Sequence, residues 1–395
     1  MKYDFVSRVD RRNTGSAKWL DMENKNKKVR EGIIPLSVAD MEFVHPREFI
    51  EGLKTYLDEA ILGYTVADDS FYEAVITWMK NRHDFDVEKE WIVNTGGVVP
   101  AIFNAIKTLT EENYGIIIFT PVYYPFYKAI NLQNRKVVAC PLINENGTYE
   151  IDFELFEALA KKTSNRVLLF CSPHNPVARV WKREELEKLK DIVLKNDLIL
   201  ISDEIHFDLI MPGYTHTVFQ TIDETLSQRT ITMTAPSKSF NIAGMGISNV
   251  IIKNKELREK FVEGLRSTAQ IPFTSLGFVA NKLVYSTCET WLDECIEVIN
   301  VNHKYVKDFF NKTYPQIKVY PLEGTYLQWI DFRALGLSYK NLEDFMINEA
   351  ELFLDEGYLF GKDGEGFERI NLACPREVIE QALERLDKAI KGRFV

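Results

Sequence analysis

Short runs of apolar and β-branched residues alternate with helical patterns through the middle of this chain. The runs at 115–120, 136–140, 166–171, 198–203, 230–234 and 249–253 predict strands. Apolar positions spaced three and four apart predict helices over 72–82, 100–109, 127–132, 153–161 and 183–195. The strand runs show no polar alternation, so both faces of the sheet are expected to be buried beneath helices. Strand and helix in alternation predict an α/β fold with a mostly parallel sheet.

Outside this region the pattern changes. Residues 1–46 look irregular, with one extended stretch at 33–38. A long helical stretch is expected over 276–310. It is followed by extended segments at 317–320, 325–331 and 369–372 and by helices near 341–349 and 376–391. These predict a smaller α+β domain. Residues 48–285 then form the large domain, and 1–47 with 286–395 form the small one.

At 395 residues the chain is long enough for two sizeable cores. The net charge of −10 argues against nucleic acid as a partner. The basic stretch Lys25 to Arg30 is flanked by Glu23 and Glu31 and reads as a solvated loop. Five cysteines, Cys140, Cys171, Cys288, Cys295 and Cys374, show no CxxC pair and no metal-ligand spacing, so no metal is expected. Reduced thiols in the cytoplasm fit best. No signal peptide follows Met1, and no apolar run is long enough to span a membrane.

Three predicted strands are each followed by a polar side chain. Asn175 comes after the run 166–171, Asp203 closes the run 198–203, and Lys238 comes after the run 230–234. Ligands of open α/β sheets sit at the carboxyl ends of strands, so these three groups are expected in one crevice. An amine for a Schiff base, a carboxylate for a pyridinium nitrogen and an amide for a phenolate are what a pyridoxal phosphate site needs. Lys238 follows one apolar run and precedes an uncharged one, which predicts burial and a lowered pKa. Asp203 is equally suited to capping a helix, and Asn175-Pro176 to an ordinary turn. His206 is read as a residue beside the cofactor or behind Asp203.

Further along, Thr95-Gly96-Gly97-Val98-Val99-Pro100 opens a helix whose bare N–H groups suit a phosphate, and Ser237 adds a hydroxyl. Tyr123 and Tyr124 follow another strand and offer a ring to lie on the cofactor. Arg369, in an apolar run, requires a carboxylate partner: either a substrate's or that of a nearby glutamate.

Ser-Lys-x-x-Asn-x-x-Gly at 237–244, Asp-Glu-Ile-His at 203–206 and Asn175-Pro176 resemble fold-type I pyridoxal phosphate enzymes, the aspartate aminotransferase superfamily. The segments at 38–43, 62–65 and 202–206 are similar to the MalY/PatB type of cystathionine β-lyase. Those at 121–126, 171–177 and 207–214 are similar to its cysteine desulfhydrase members. The resemblance implies an aminotransferase-like fold and a homodimer with its active sites at the interface. It also implies α,β-elimination from sulfur-containing L-amino acids. It gives Lys238 the Schiff base, Asp203 the pyridine nitrogen, Asn175 the phenolate and Tyr123 the ring face. Val98, Val99 and Ser237 would bind phosphate together with Tyr64 from the neighbouring subunit, which also borders the substrate. Arg369 would bind the substrate carboxylate, and Tyr124 would aid binding or proton movement.

Two positions depart from that pattern. Ala178 replaces a frequent glycine before Arg179, which costs stability if φ is positive there. Ala235 replaces a phosphate-binding serine, leaving more of the phosphate charge to Ser237, Tyr64 and the helix end. An aminotransferase is the alternative expected from the same motifs, and a β-lyase that also serves as a regulatory interaction protein is another.

Overall fold

The computed structural model describes residues 1–145, 147–272 and 274–394. The strands are β1 (Ile92–Thr95), β2 (Gly115–Thr120), β3 (Lys136–Pro141), β4 (Ile143–Glu145), β5 (Thr148–Glu150), β6 (Asn165–Cys171) and β7 (Ile199–Asp203). They continue with β8 (Thr230–Thr234), β9 (Ser248–Ile251), β10 (Lys318–Val319), β11 (Leu327–Asp331), β12 (Asp355–Glu356) and β13 (Phe367–Asn371). Seven of them form one sheet in the order β1-β9-β8-β7-β6-β2-β3. β9 runs antiparallel to both β8 and β1, so β1 again points the same way as β2, β3, β6, β7 and β8.

Why the runs lack alternation is visible strand by strand. In β2, Ile116 and Ile118 pack beneath the helices Val98–Leu109, Pro125–Asn131 and Lys255–Ser267. Ile117 and Phe119 pack on the opposite face against Phe153–Ala160 and Arg183–Lys195. In β6, Val167 and Leu169 join the first cluster, and Leu168 and Phe170 the second. Both faces are covered, so both sets of alternating positions are apolar.

A second, antiparallel sheet has the order β10-β11-β13-β12, with every residue of β11 and β13 buried. Trp329 and Phe367 stack across it with ring centroids 5.1 Å apart. One further apolar cluster joins Phe5, Trp19 and Leu36 near the start of the chain to Leu383 and Ile390 in the last helix.

Three expectations need correction. The stretch 276–310 is two helices, Ser275–Thr287 and Glu289–Thr313, broken at the buried Cys288. The apolar pattern continues across the break because both helices bury a face in the same core, so the spacing conceals it. The segment at 33–38, read as extended, lies between two neighbouring segments outside the named strands. Leu36 N–H donates to Phe353 O at 2.9 Å and Leu36 O accepts from Asn371 N–H at 2.8 Å, after which Val38 turns with φ 56°. The helix near 341–349 is one α-helical stretch, Tyr339–Asp344, continued as a π-helix, Phe345–Glu349. β1, the β4-β5 hairpin and the helices Ala17–Lys25, Arg47–Glu59 and Lys255–Ser267 were not expected. β1 has only four residues, of which Asn94 and Thr95 are polar and bonded to Asn249 and Ser248 of β9, so it leaves no apolar run to find.

Candidate active site

The carboxyl ends of β1, β2, β6, β7 and β8 open on one cavity of about 170 Å³. Tyr123, Asn175, Asp203, His206, Ser237 and Lys238 line it, together with Gly96, Gly97, Val98 and Val99. Eight of the eleven predicted site residues therefore meet in one place: Lys238, Tyr123, Asp203, Asn175, Val98, Val99, Ser237 and His206.

Lys238 rides on the one-turn helix Pro236–Ser239 directly after β8, with Pro236 at its first position. Its Nζ donates to Ala39 O at 2.8 Å. Burial lowers its pKa to about 8, and the Arg369 charge pushes the same way. Such an amine is neutral far more often near neutral pH than an ordinary lysine, and the neutral form is what a nucleophile or general base requires.

Asp203 ends β7 and is 3% exposed. Its Oδ1 accepts from Ile205 N–H at 3.2 Å, and burial raises its pKa to about 7. No helix starts after it, so its carboxylate is not used as a cap. His206 is buried with its Nδ1 unpartnered among the described residues, and burial drives its pKa well down. Its ring meets Tyr326 edge-on at 5.9 Å.

Asn175 follows β6, and its backbone oxygen accepts from Tyr123 N–H at 3.1 Å. Its Oδ1 accepts from Arg369 Nη1 at 2.7 Å. That bond fixes the amide's orientation and leaves Nδ2 as the donor available to the cavity. The Tyr123 hydroxyl is held protonated by burial. Tyr124 does not line the cavity. Its ring lies 5.4 Å from that of Tyr123 and beneath Lys128, and burial, with Asp355, raises its pKa.

The helix Val98–Leu109 begins at Gly97, whose φ is 146°, a conformation suited to glycine. No side chain caps this end, so its first N–H groups remain for a ligand. Gly96 leaves open space where a side chain would stand.

Arg369 lies on β13, outside the cavity lining, and is 2% exposed. Besides Asn175 it binds Asp355 Oδ2 through Nη2 at 2.6 Å, and it lies 4.6 Å over the Phe360 ring. Its protein partner is thus an aspartate on the neighbouring strand rather than a glutamate. Its Nε is buried and unpartnered among the described residues. Tyr64 stands apart, 95% exposed and outside this chain's own cavity. Sequence reading missed Ala39 and Asp355. The segment 38–43 that carries the resemblance contains the first, though no role was read for it, and nothing local marked the second.

This donor set fits pyridoxal phosphate. A lysine amine, a buried carboxylate and an amide donor with a fixed orientation line one cavity, beside a glycine turn and an uncapped helix end. The buried Nδ1 of His206, a residue lining the same cavity, has no protein partner among the described residues.

Comparison with known proteins places this arrangement. The family model for aminotransferase class I and II matches residues 32–386. Cystathionine beta-lyase PatB of Bacillus subtilis is 36% identical over 98% of this chain and 100% of its own length. The crystal structure of cystalysin from Treponema denticola, which contains a pyridoxal 5'-phosphate cofactor, is 57% identical with a TM-score of 0.98, covering 99% of this chain and all of that one. The pyridoxal phosphate-bound C-S lyase of Staphylococcus hominis is 32% identical with a TM-score of 0.90, over the whole of both chains. The chain therefore belongs to the aminotransferase class I and II family and has its fold-type I, aminotransferase-like architecture.

Proposed function

We propose that the cavity at Lys238 is the active centre of a carbon–sulfur β-lyase acting on L-cysteine and L-cystathionine-type amino acids. The chain is a pyridoxal phosphate-dependent cystathionine β-lyase or cysteine desulfhydrase, in keeping with relatives along its whole length. The observation that carries the reading is Lys238 Nζ in one cavity with Asp203, Asn175 and the glycine turn.

Lys238 would hold the cofactor covalently through Nζ. Asp203 would face its ring nitrogen, Asn175 Nδ2 its phenolic oxygen and Tyr123 its ring face. His206 would lie beside it. The N–H groups of Val98 and Val99, the Ser237 hydroxyl and Tyr64 of the partner subunit would take its phosphate. When bound, pyridoxal phosphate supplies an electron sink for the charge left at the substrate's Cα.

Arg369 would grip the substrate's α-carboxylate as a charge-assisted pair, with the partner's Tyr64 bordering the substrate. Lys238 Nζ would take the Cα proton as general base. Loss of that proton expels the thiolate from Cβ. The thiolate receives a proton from Lys238 or from a tyrosine hydroxyl, and the pKa values of Tyr123 and Tyr124 are raised enough to keep them protonated. The three-carbon remainder leaves and hydrolyses to pyruvate and ammonia.

The reading also includes a homodimer, supported by the exposed apolar run Ile61, Leu62, Tyr64 and Val66. It includes a division into 48–285 and 1–47 with 286–395, since the large sheet lies within 92–251 and the small one within 318–371. Among the described residues no helix is long and apolar enough to cross a membrane. Five cysteines without disulfides agree with a cytoplasmic enzyme.

The test is an assay of the loaded enzyme with L-cysteine and L-cystathionine. Pyruvate formed in step with sulfide or homocysteine supports the lyase. Transfer of the amino group to an added oxo acid, with the sulfur retained, would make it an aminotransferase instead.

A further inference from the structure

Asp355 joins two parts of the site that sequence leaves unconnected. Its Oδ2 accepts from Arg369 Nη2 at 2.6 Å and also from Val38 N–H at 2.7 Å. One carboxylate oxygen thus ties the arginine to the turn that follows the extended stretch before Val38. The next residue, Ala39, accepts from Lys238 Nζ at 2.8 Å. A line of direct contacts runs from Arg369 through Asp355 and Val38–Ala39 to Lys238.

Two features make this line unusual. Val38 has φ 56°, the left-handed region that a β-branched residue rarely enters. Asn371 Nδ2 helps to hold it there, donating to Val38 O at 2.8 Å and to Asp40 O at 2.9 Å. Strain of this kind persists only where neighbours fix it, and it gathers at sites that move or bind. The second feature is the half-made pair at Arg369. Asp355 engages Nη2 with a single oxygen, and the buried Nε has no partner among the described residues. A two-pronged grip on either edge of a guanidinium uses Nη2, the nitrogen that Asp355 holds.

We propose that Asp355 is a built-in competitor for the substrate carboxylate. The incoming carboxylate takes Arg369 Nη2, Asp355 withdraws, and the Val38 N–H loses its acceptor. The strained turn at 38–40, in contact with Lys238, then shifts when a carboxylate is bound. Asp355 is a positioning and specificity-determining residue, because it sets what affinity a carboxylate needs in order to move the turn. This inference rests on Arg369 as the carboxylate-binding residue.

The probe is propionate, a carboxylate without an amine, added to the loaded enzyme. Binding is measured by calorimetry, and exchange of the Val38 amide by hydrogen–deuterium exchange. In the unsubstituted protein, saturating propionate should speed exchange at Val38. In Asp355→Asn, propionate should bind roughly fivefold tighter or more, with the Val38 response lost. Unchanged Val38 exchange in the unsubstituted protein overturns the proposal without any variant. Weaker or equal binding by Asp355→Asn also overturns it, and makes Asp355 a fixed support of Arg369. If Arg369→Leu binds propionate as tightly as the unsubstituted protein, the carboxylate site itself is misassigned, and the proposal falls with it.

Discussion

Ser239 Oγ donates to Asp208 Oδ2 at 2.5 Å, one residue beyond Lys238. Asp208 is buried and also binds His83 Nε2 at 2.7 Å and Trp78 Nε1 at 3.0 Å. Beside Asp203, the buried Glu204 binds His216 Nε2 at 2.8 Å, Ser202 Oγ at 2.7 Å and Phe219 N–H at 3.1 Å. Each of the two charged residues of the cavity therefore has a chain neighbour anchored by a buried carboxylate. Such supports fix a side chain more tightly than a loop alone can.

Replacing Asp208 should loosen Lys238 without touching the cavity. Asp208→Ala leaves Ser239, Trp78 and His83 without their acceptor, at a cost of about 1–3 kcal/mol in stability. We expect kcat to fall about ten- to a hundredfold with KM little changed, because misplacement of the amine affects the chemical step. Chemical denaturation and steady-state kinetics check the two halves of this prediction.

Lys238→Ala removes the proposed cofactor anchor and general base. Pyruvate formation should fall by about a thousandfold or more. A variant that releases sulfide at a normal rate would take Lys238 out of the reaction.

Asp203 gives the cofactor-free protein a defined pH dependence. Its carboxyl titrates at about 7 when folded, against an ordinary 3.8, because burial disfavours the charge. Between those values the folded chain keeps a proton that the unfolded chain has lost. Stability from this group is present below about 4 and is lost as pH rises towards 7. At pH 8, Asp203→Asn should make the cofactor-free protein more stable by about 2–4 kcal/mol, and by less at pH 5. Urea denaturation at the two pH values measures the difference. A constant gap would mean that Asp203 is not the titrating group.

Ala178 stands at φ 60° and is fully buried. Ala178→Gly relieves a left-handed alanine, worth about 1–2 kcal/mol, and loses a buried methyl worth about 0.8 kcal/mol and some chain entropy. The terms nearly cancel, so stability should change by less than about 1 kcal/mol. Ala105 is equally buried, within the helix Val98–Leu109. There both effects have the same sign, and Ala105→Gly should cost about 2 kcal/mol. Thermal or urea unfolding of the pair tests the comparison.

The sheet and its ligand edge were legible because burial on both faces writes an uninterrupted apolar run, as in β2 and β6. A polar residue just past such a run stands out, and Lys238, Asp203 and Asn175 were found in that way. Tyr124 was read by the same rule, yet it packs behind Tyr123 and off the cavity, since adjacent residues in a turn need not point the same way. Tyr64 was reached only through resemblance, and nothing within a single chain brings it to the cavity.

The sequence by itself determined which polar side chains stand at the cavity's strand ends and which strands present them, because both depend on local pattern: apolar runs, their ends and the residue type placed there. Tertiary structure alone decided what surrounds that chemistry. Ala39 meets Lys238 across 199 positions, and Asn175 meets Arg369 across 194. Asp355 meets Val38 across 317. Contacts between such distant segments are set by how sheets and helices pack, and an isolated Ala, Val or Asp has no periodicity that could announce them.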